Sequence, residues 1–215
     1  MRLGRPWRQG LVLALALAWA GPVDGNLQSL LPPLVSNRNA GRAGEVRGSV
    51  VLEPKTPRGA ATPLPGATLV LVPRSPELLR DLDQVKARAR ESEAGYLGAA
   101  TEVARLKERF EQALADAGAG ELVFPGASDA GGRFVFSRVP AGEWLLLGHH
   151  ETAHRPRGGH PSPRDRRNFR LSPQPAGYRA VTHWLVPVRV AEGDVIKVEL
   201  TDRNLWLRGV VQDYE

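Results

Sequence analysis

The stretch from Gly132 to Leu147 writes two alternating segments around a Val-Pro-Ala-Gly turn. Phe134 and Phe136 before the turn, and Trp144 and Leu146 after it, recur at period two, so each segment reads as a strand with one apolar face turned to a core. Pro140 presets φ for the turn and Gly142 relaxes it, which predicts a β-hairpin. Few other architectures accommodate such a pair. The same alternation places Val50, Leu69, Phe134, Phe136, Trp144, Leu146, Val198 and Leu200 in the core of a β-sandwich.

Two further pieces lie upstream, Val46-Arg47-Gly48-Ser49-Val50-Val51 and Pro63-Leu64-Pro65-Gly66-Ala67-Thr68-Leu69-Val70-Leu71. With the 132–147 stretch they follow the order V-x-G-x-V, P-L-x-G-A-x-V-x-L and G-x-F-x-F-x-x-V-P-A-G-x-Y/W-x-L. That order resembles the carboxypeptidase regulatory-like domains of the transthyretin-like and carbohydrate-binding-like sandwiches, over residues 45–73 and 130–148. The resemblance implies a mainly β chain, a transthyretin-like (prealbumin-like) antiparallel β-sandwich. It implies almost nothing about activity, because a fold does not set a function. Val181 to Val190, the turn at Glu192-Gly193-Asp194 and Val195 to Leu200 resemble the closing strands of the same domains, with Asn204 to Val210 expected as one more edge strand.

A charged segment interrupts the strands. Ser75 is a good N-cap, Pro76 suits the first helical position and Glu77 complements the positive helix end, so a helix starts here. Its apolar stripe runs Leu78, Leu82, Val85, Ala89, Ser92, Tyr96, Ala99, Val103, Leu106, Phe110 and Ala113. A single helix from Pro76 to Ala117 would be about 63 Å long, and the residues left before Asp129 span at most about 30 Å. The expectation is therefore a helical hairpin inserted at 76–117, broken near Gly95 or Gly98, although the unbroken heptad register speaks for one rod. The stripe packs on itself or on the sandwich; its alternative is a dimerising or partner-docking arm.

Arg2, Arg5 and Arg8, the apolar run Leu11 to Ala20 and Ala18-Trp19-Ala20 read as a signal peptide over 1–20. Ten apolar residues do not span a bilayer, and no later segment comes near that length, so no transmembrane segment is expected after cleavage. Losing those three arginines lowers the formal charge from +6 to +3, which gives no reason to expect a nucleic-acid partner. The chain has no cysteine, so an exported fold must hold without disulfides. The expected address is periplasmic or secreted. Residues 21–44 read as a flexible leader and 45–215 as the sandwich domain.

The remaining signals gather in 149–177, expected as a long loop. His150-Glu151-Thr152-Ala153-His154 matches H-E-x-x-H, in which two histidines one helical turn apart bind zinc and the glutamate activates its water. The strand ending at Gly148 and the helix-stopping Pro156 deny that motif its helix, so a zinc hydrolase is the weakest reading and no enzyme is expected. His149, His150, His154 and His160 are candidate ligands for a weakly bound zinc or copper, which requires convergence without a helix. Arg164, Arg166 and Arg167 make the same stretch basic and are candidate contacts for an anionic partner. Its simplest reading is a solvated polar loop. Trp206 is the candidate surface aromatic, able to stack on a sugar ring, whereas Trp144 and Trp184 belong to the core. The residues together predict an exported, non-catalytic β-sandwich module with an interaction or structural role at the bacterial envelope, its partner an envelope protein or polysaccharide. A sugar- or metal-binding sandwich using 149–177 is the alternative.

Overall fold

A computed structural model describes residues 24–54, 59–154 and 175–214. The described residues are mainly β, with two sheets facing each other and three α-helices. In the first sheet β1 (Ala43–Leu52) is central, with the short β2 (Thr62–Pro63) at its C-terminal end. It pairs antiparallel with β5 (Arg133–Pro140) and parallel with β8 (Val195–Leu200), so the sandwich is not wholly antiparallel. The second sheet is antiparallel throughout, in the order β4 (Phe124–Ala127), β3 (Thr68–Pro73), β6 (Gly142–His154), β7 (Pro175–Val190), β9 (Leu207–Tyr214).

The expected hairpin at 132–147 is instead an arch. β5 belongs to the first sheet and β6 to the second, and the chain crosses between them at Ala141. Strands of one sheet would show Phe134, Phe136, Trp144 and Leu146 on one common face, whereas an arch sets the two pairs opposite each other across the core. All four are buried. Arg138, with φ 56°, bends β5 before the crossing, and Gly142 enters β6 at φ 156°. A side chain at Gly142 would collide with Leu34, so the arch needs glycine there for conformation and for space alike.

Leu34 lies on α1 (Asp24–Asn39), within the segment expected as a flexible leader. Pro32 and Pro33 inside it oppose helix formation by about 3 kcal/mol each in isolation. Docking overcomes this. Leu27, Leu31 and Leu34 are buried, Asn37 Nδ2 donates to the Ala141 carbonyl at 2.6 Å, and Arg38 pairs with Glu121 at 2.5 Å. Helix α1 thus packs at the arch end of the sandwich. The expected signal peptide, 1–20, lies outside the described residues.

The insertion is a helical hairpin, α2 (Pro76–Glu91) and α3 (Glu93–Asp116), packed along each other. Ser75 Oγ caps α2 by accepting from Leu78 N at 3.2 Å, as its sequence implies. The break falls at Ser92, which is extended and whose Oγ caps α3 by accepting from Gly95 N at 3.0 Å. Gly95 sits so close to the Arg88 carbonyl that no side chain fits, which makes it the glycine of the corner. Most of the apolar stripe is spent inside the chain: Leu78, Leu82, Val85, Ala89, Ala99, Val103, Leu106 and Phe110 are buried and Ala113 partly so, while Ser92 and Tyr96 near the corner are exposed. Those buried positions are not available as the seam of the dimer considered from sequence. The helices cover the outer face of the second sheet, which explains why β3 is buried at Val70 and Val72 as well as at Leu69 and Leu71, and β6 at Leu145 and Leu147 as well as at Trp144 and Leu146. Among the described residues no helix is long and apolar enough to cross a membrane.

Candidate cleft between the helical hairpin and the second sheet

Strand alternation sends Val70, Leu147, His149, Glu151, Val181, His183 and Leu185 to the outer face of the second sheet, beneath α3. Val103, Ala104, Lys107 and Glu111 line the opposite side, and Trp206 closes one flank. The space enclosed is about 510 Å³. Its walls are mainly aliphatic, and its polar groups lie together.

His149 of β6 and His183 of β7 stand in direct register, ring centroids 6.1 Å apart. His149 Nε2 lies 3.6 Å from a Glu151 oxygen whose partner oxygen accepts from Arg179 at 2.7 Å. Lys107 and Glu111, one turn apart on α3, pair at 3.0 Å. His183 is buried, and its Nε2 is the buried polar side-chain atom without a hydrogen-bond partner among the described residues. Burial, and to a lesser degree the neighbouring His149, push its pKa down from 6.5 to about 4. Burial also lowers His149, against the opposing pull of Glu151. Both imidazoles are neutral at pH 7.

A depressed histidine binds its proton more readily in the unfolded chain. Stability is therefore fully present above pH 6.5 and falls as the pH drops from there toward 4, by about 3 kcal/mol for His183 over the whole window. Asp129 and Asp202, held below the ordinary carboxylate range chiefly by the backbone amides of Arg133 and Glu53, act only at lower pH. Urea midpoints measured between pH 7 and 4 should fall in wild type and fall much less in His183→Gln. Equal slopes would show that His183 does not titrate as its burial requires.

The H-E-x-x-H match lies on a strand. The β6–β7 ladder runs without interruption from His149 opposite His183 to His154 opposite Tyr178, so the expected loop 149–177 contributes its ends to two long strands. Strand geometry sets residues 150 and 154 about 13 Å apart and turns Glu151 to the face opposite His150, which removes the zinc-hydrolase arrangement. The same alternation separates His149 from His150. Among the described residues no group of three or more metal-ligating side chains converges. The side chain of His154, together with His160, Arg164, Arg166 and Arg167, lies outside the described residues. Trp206 is half-buried against the core, with Lys86 Nζ 5.4 Å above its ring, so it is a cleft wall and not an open stacking platform.

His183 carried no sequence signal as a site residue. It pairs with His149 only through register across 34 positions. The signal that could have revealed the covered outer face is the continuous apolar runs Leu69-Val70-Leu71-Val72 and Trp144-Leu145-Leu146-Leu147, because a strand with one solvated face alternates.

No protein-family model and no curated protein matches the chain. Among solved structures it is similar to a candidate carbohydrate-binding protein from Pseudomonas aeruginosa, at 15% identity over 74% of this chain and 88% of that one, TM-score 0.43. It is also similar to the pilus backbone of Streptococcus pneumoniae, at 14% identity over 74% of this chain and 40% of that one, TM-score 0.27.

Proposed function

We propose that this chain is an exported, non-catalytic binding module of the bacterial envelope and that the cleft beneath α3 is where it binds. The observation that carries this is a cleft of about 510 Å³ with mainly aliphatic walls and a few polar side chains, Thr68, Lys107, Glu111, His149 and Glu151 among them, a combination and size usual for small-molecule sites. Export is supported by the arginine-rich start, the apolar run and Ala18-Trp19-Ala20. Binding without chemistry is supported by the pairing of Lys107 with Glu111 and of Glu151 with Arg179, which leaves those groups engaged with each other. The V-x-G-x-V piece falls on β1, the P-L-x-G-A piece on β2 and β3, and the G-x-F piece on β5 and β6, which supports kinship with the carboxypeptidase regulatory-like domains.

Ala104 is exposed at the rim of the cleft, so Ala104→Trp should obstruct it without touching the core. Nile red, an uncharged apolar dye, should brighten on wild type and bind at least about fivefold more weakly to the variant. Equal binding would place the dye elsewhere and remove the cleft from consideration.

A further inference from the structure

Resting on the reading of the cleft as the binding site, we infer that its ligand is an amphiphile, with an apolar body against the aliphatic walls and an uncharged head of several hydrogen-bonding groups met by Lys107, Glu111, His149 and Glu151. The depth of the lining residues, their charge and their hydrogen-bonding chemistry converge on that class.

Burial sorts the lining by depth. Val70, Leu82, Val103 and Leu147 are buried, whereas Lys107, Glu111 and His149 are half-buried and Thr68 and Glu151 are exposed. Thr68 of β3 stands in register with His149 of β6, and Glu151 follows His149 on the same face of that strand. Helix α3 supplies the facing side of this mouth, since the Lys107 ammonium is close enough to act on the His149 imidazole, after burial and Glu151. A ligand entering here removes its apolar part from water inside the cleft and keeps its polar part at the rim.

Charge then decides the head. The mouth holds Lys107 paired with Glu111 at 3.0 Å and Arg179 paired with Glu151 at 2.7 Å, so the formal charges of these groups cancel. An anionic head drawn to Lys107 meets Glu111 beside it, and a cationic head drawn to Glu151 meets Arg179. Either head gives up hydration without a net counter-charge.

An uncharged head avoids that cost and still finds partners. A carboxylate in one ion pair keeps lone pairs for further donors, and an ammonium in one pair keeps further N–H groups. The neutral imidazole of His149 and the hydroxyl of Thr68 each offer a donor and an acceptor. Hydroxyls, which donate and accept alike, match this mixed set. A head carrying several of them bonds to the rim without breaking either ion pair.

Calorimetric titration of the whole chain with octyl glucoside, octyl sulfate and octyltrimethylammonium, all below their micellar concentrations, varies the head at constant tail. The glucoside should bind at least about fivefold more tightly than either charged probe. It should also bind at least about tenfold more tightly than butyl glucoside, whose tail covers less of the apolar wall, and Ala104→Trp should weaken it. Glu111→Gln leaves Lys107 unopposed and Lys107→Met leaves Glu111 unopposed, at a rim pair whose loss changes stability little. Octyl sulfate should gain at least about fivefold in the first variant and octyltrimethylammonium in the second, while the glucoside weakens in both. A charged probe matching the glucoside on wild type, butyl matching octyl glucoside, or head preference unmoved by both charge variants would each overturn the inference with the cleft still standing. So would failure of every octyl probe on a chain whose Nile red binding responds to Ala104→Trp. If Nile red ignores that substitution, the cleft is not the site and both readings fall.

Discussion

Replacing residues 76–117 by a short Gly/Ser linker is expected to abolish the folded state. As a separable arm, α2 and α3 would leave a trimmed β-protein behind, but the outer face of the second sheet depends on them. Val70, Val72, Leu145 and Leu147 are buried on that face, and exposing a buried aliphatic side chain costs about 1.5–3 kcal/mol. Four of them approach the whole stability of an ordinary domain, about 5–15 kcal/mol, before the contacts of Leu82, Leu106 and Phe110 are counted. The sheet would also present a contiguous apolar patch, a usual cause of aggregation. Circular dichroism and urea titration decide the matter. A soluble deletion variant with a cooperative unfolding transition would show that the helices are an appendage after all.

Trp144→Ala should be the most damaging single substitution. The ring is fully buried on the inner face of the second sheet and meets Phe124 edge-on at 5.4 Å. Emptying such a site costs roughly 3–5 kcal/mol. Its Nε1 also donates to the Pro140 carbonyl at 2.8 Å within the arch, and leaving that buried acceptor unpaired adds about 1–3 kcal/mol. Val135 supplies the contrast. It sits between Phe134 and Phe136 but points outward, 57% exposed, so Val135→Ala should change stability by less than about 0.5 kcal/mol. Comparable urea midpoints for the two variants would mean that the alternation of β5 and β6 has been misread.

Local chemistry was legible where neighbouring residues suffice to create the signal. The Ser75-Pro76-Glu77 start of α2 and the inward aromatics Phe134, Phe136, Trp144 and Trp184 were all visible, because capping and period-two burial are set within a few residues. The helical hairpin was visible for a simpler reason, chain length: a rod could not return in the residues available. Its corner was placed at a glycine, whereas the break occurs at Ser92 and Gly95 serves it by letting the Arg88 carbonyl approach.

What stayed illegible depends on partners distant in the chain. Alternation says that Phe136 and Trp144 are buried but not whether their strands pair or face one another, and the docking of Leu34 at Gly142 completes an arch. Pro32 and Pro33 argue against the helix that tertiary contacts hold in place. The density of His149, His150, His154 and His160 suggested metal; strand geometry sets His149 and His150 on opposite faces, and register brings His183 to His149. The sequence alone therefore determined which segments form strands and helices and which of their faces seek burial, since those follow from local sterics and side-chain periodicity. Only the tertiary structure decided which faces meet, and with that the cleft, because its walls come from β3, β6, β7 and α3, elements far apart in the chain that only folding brings together.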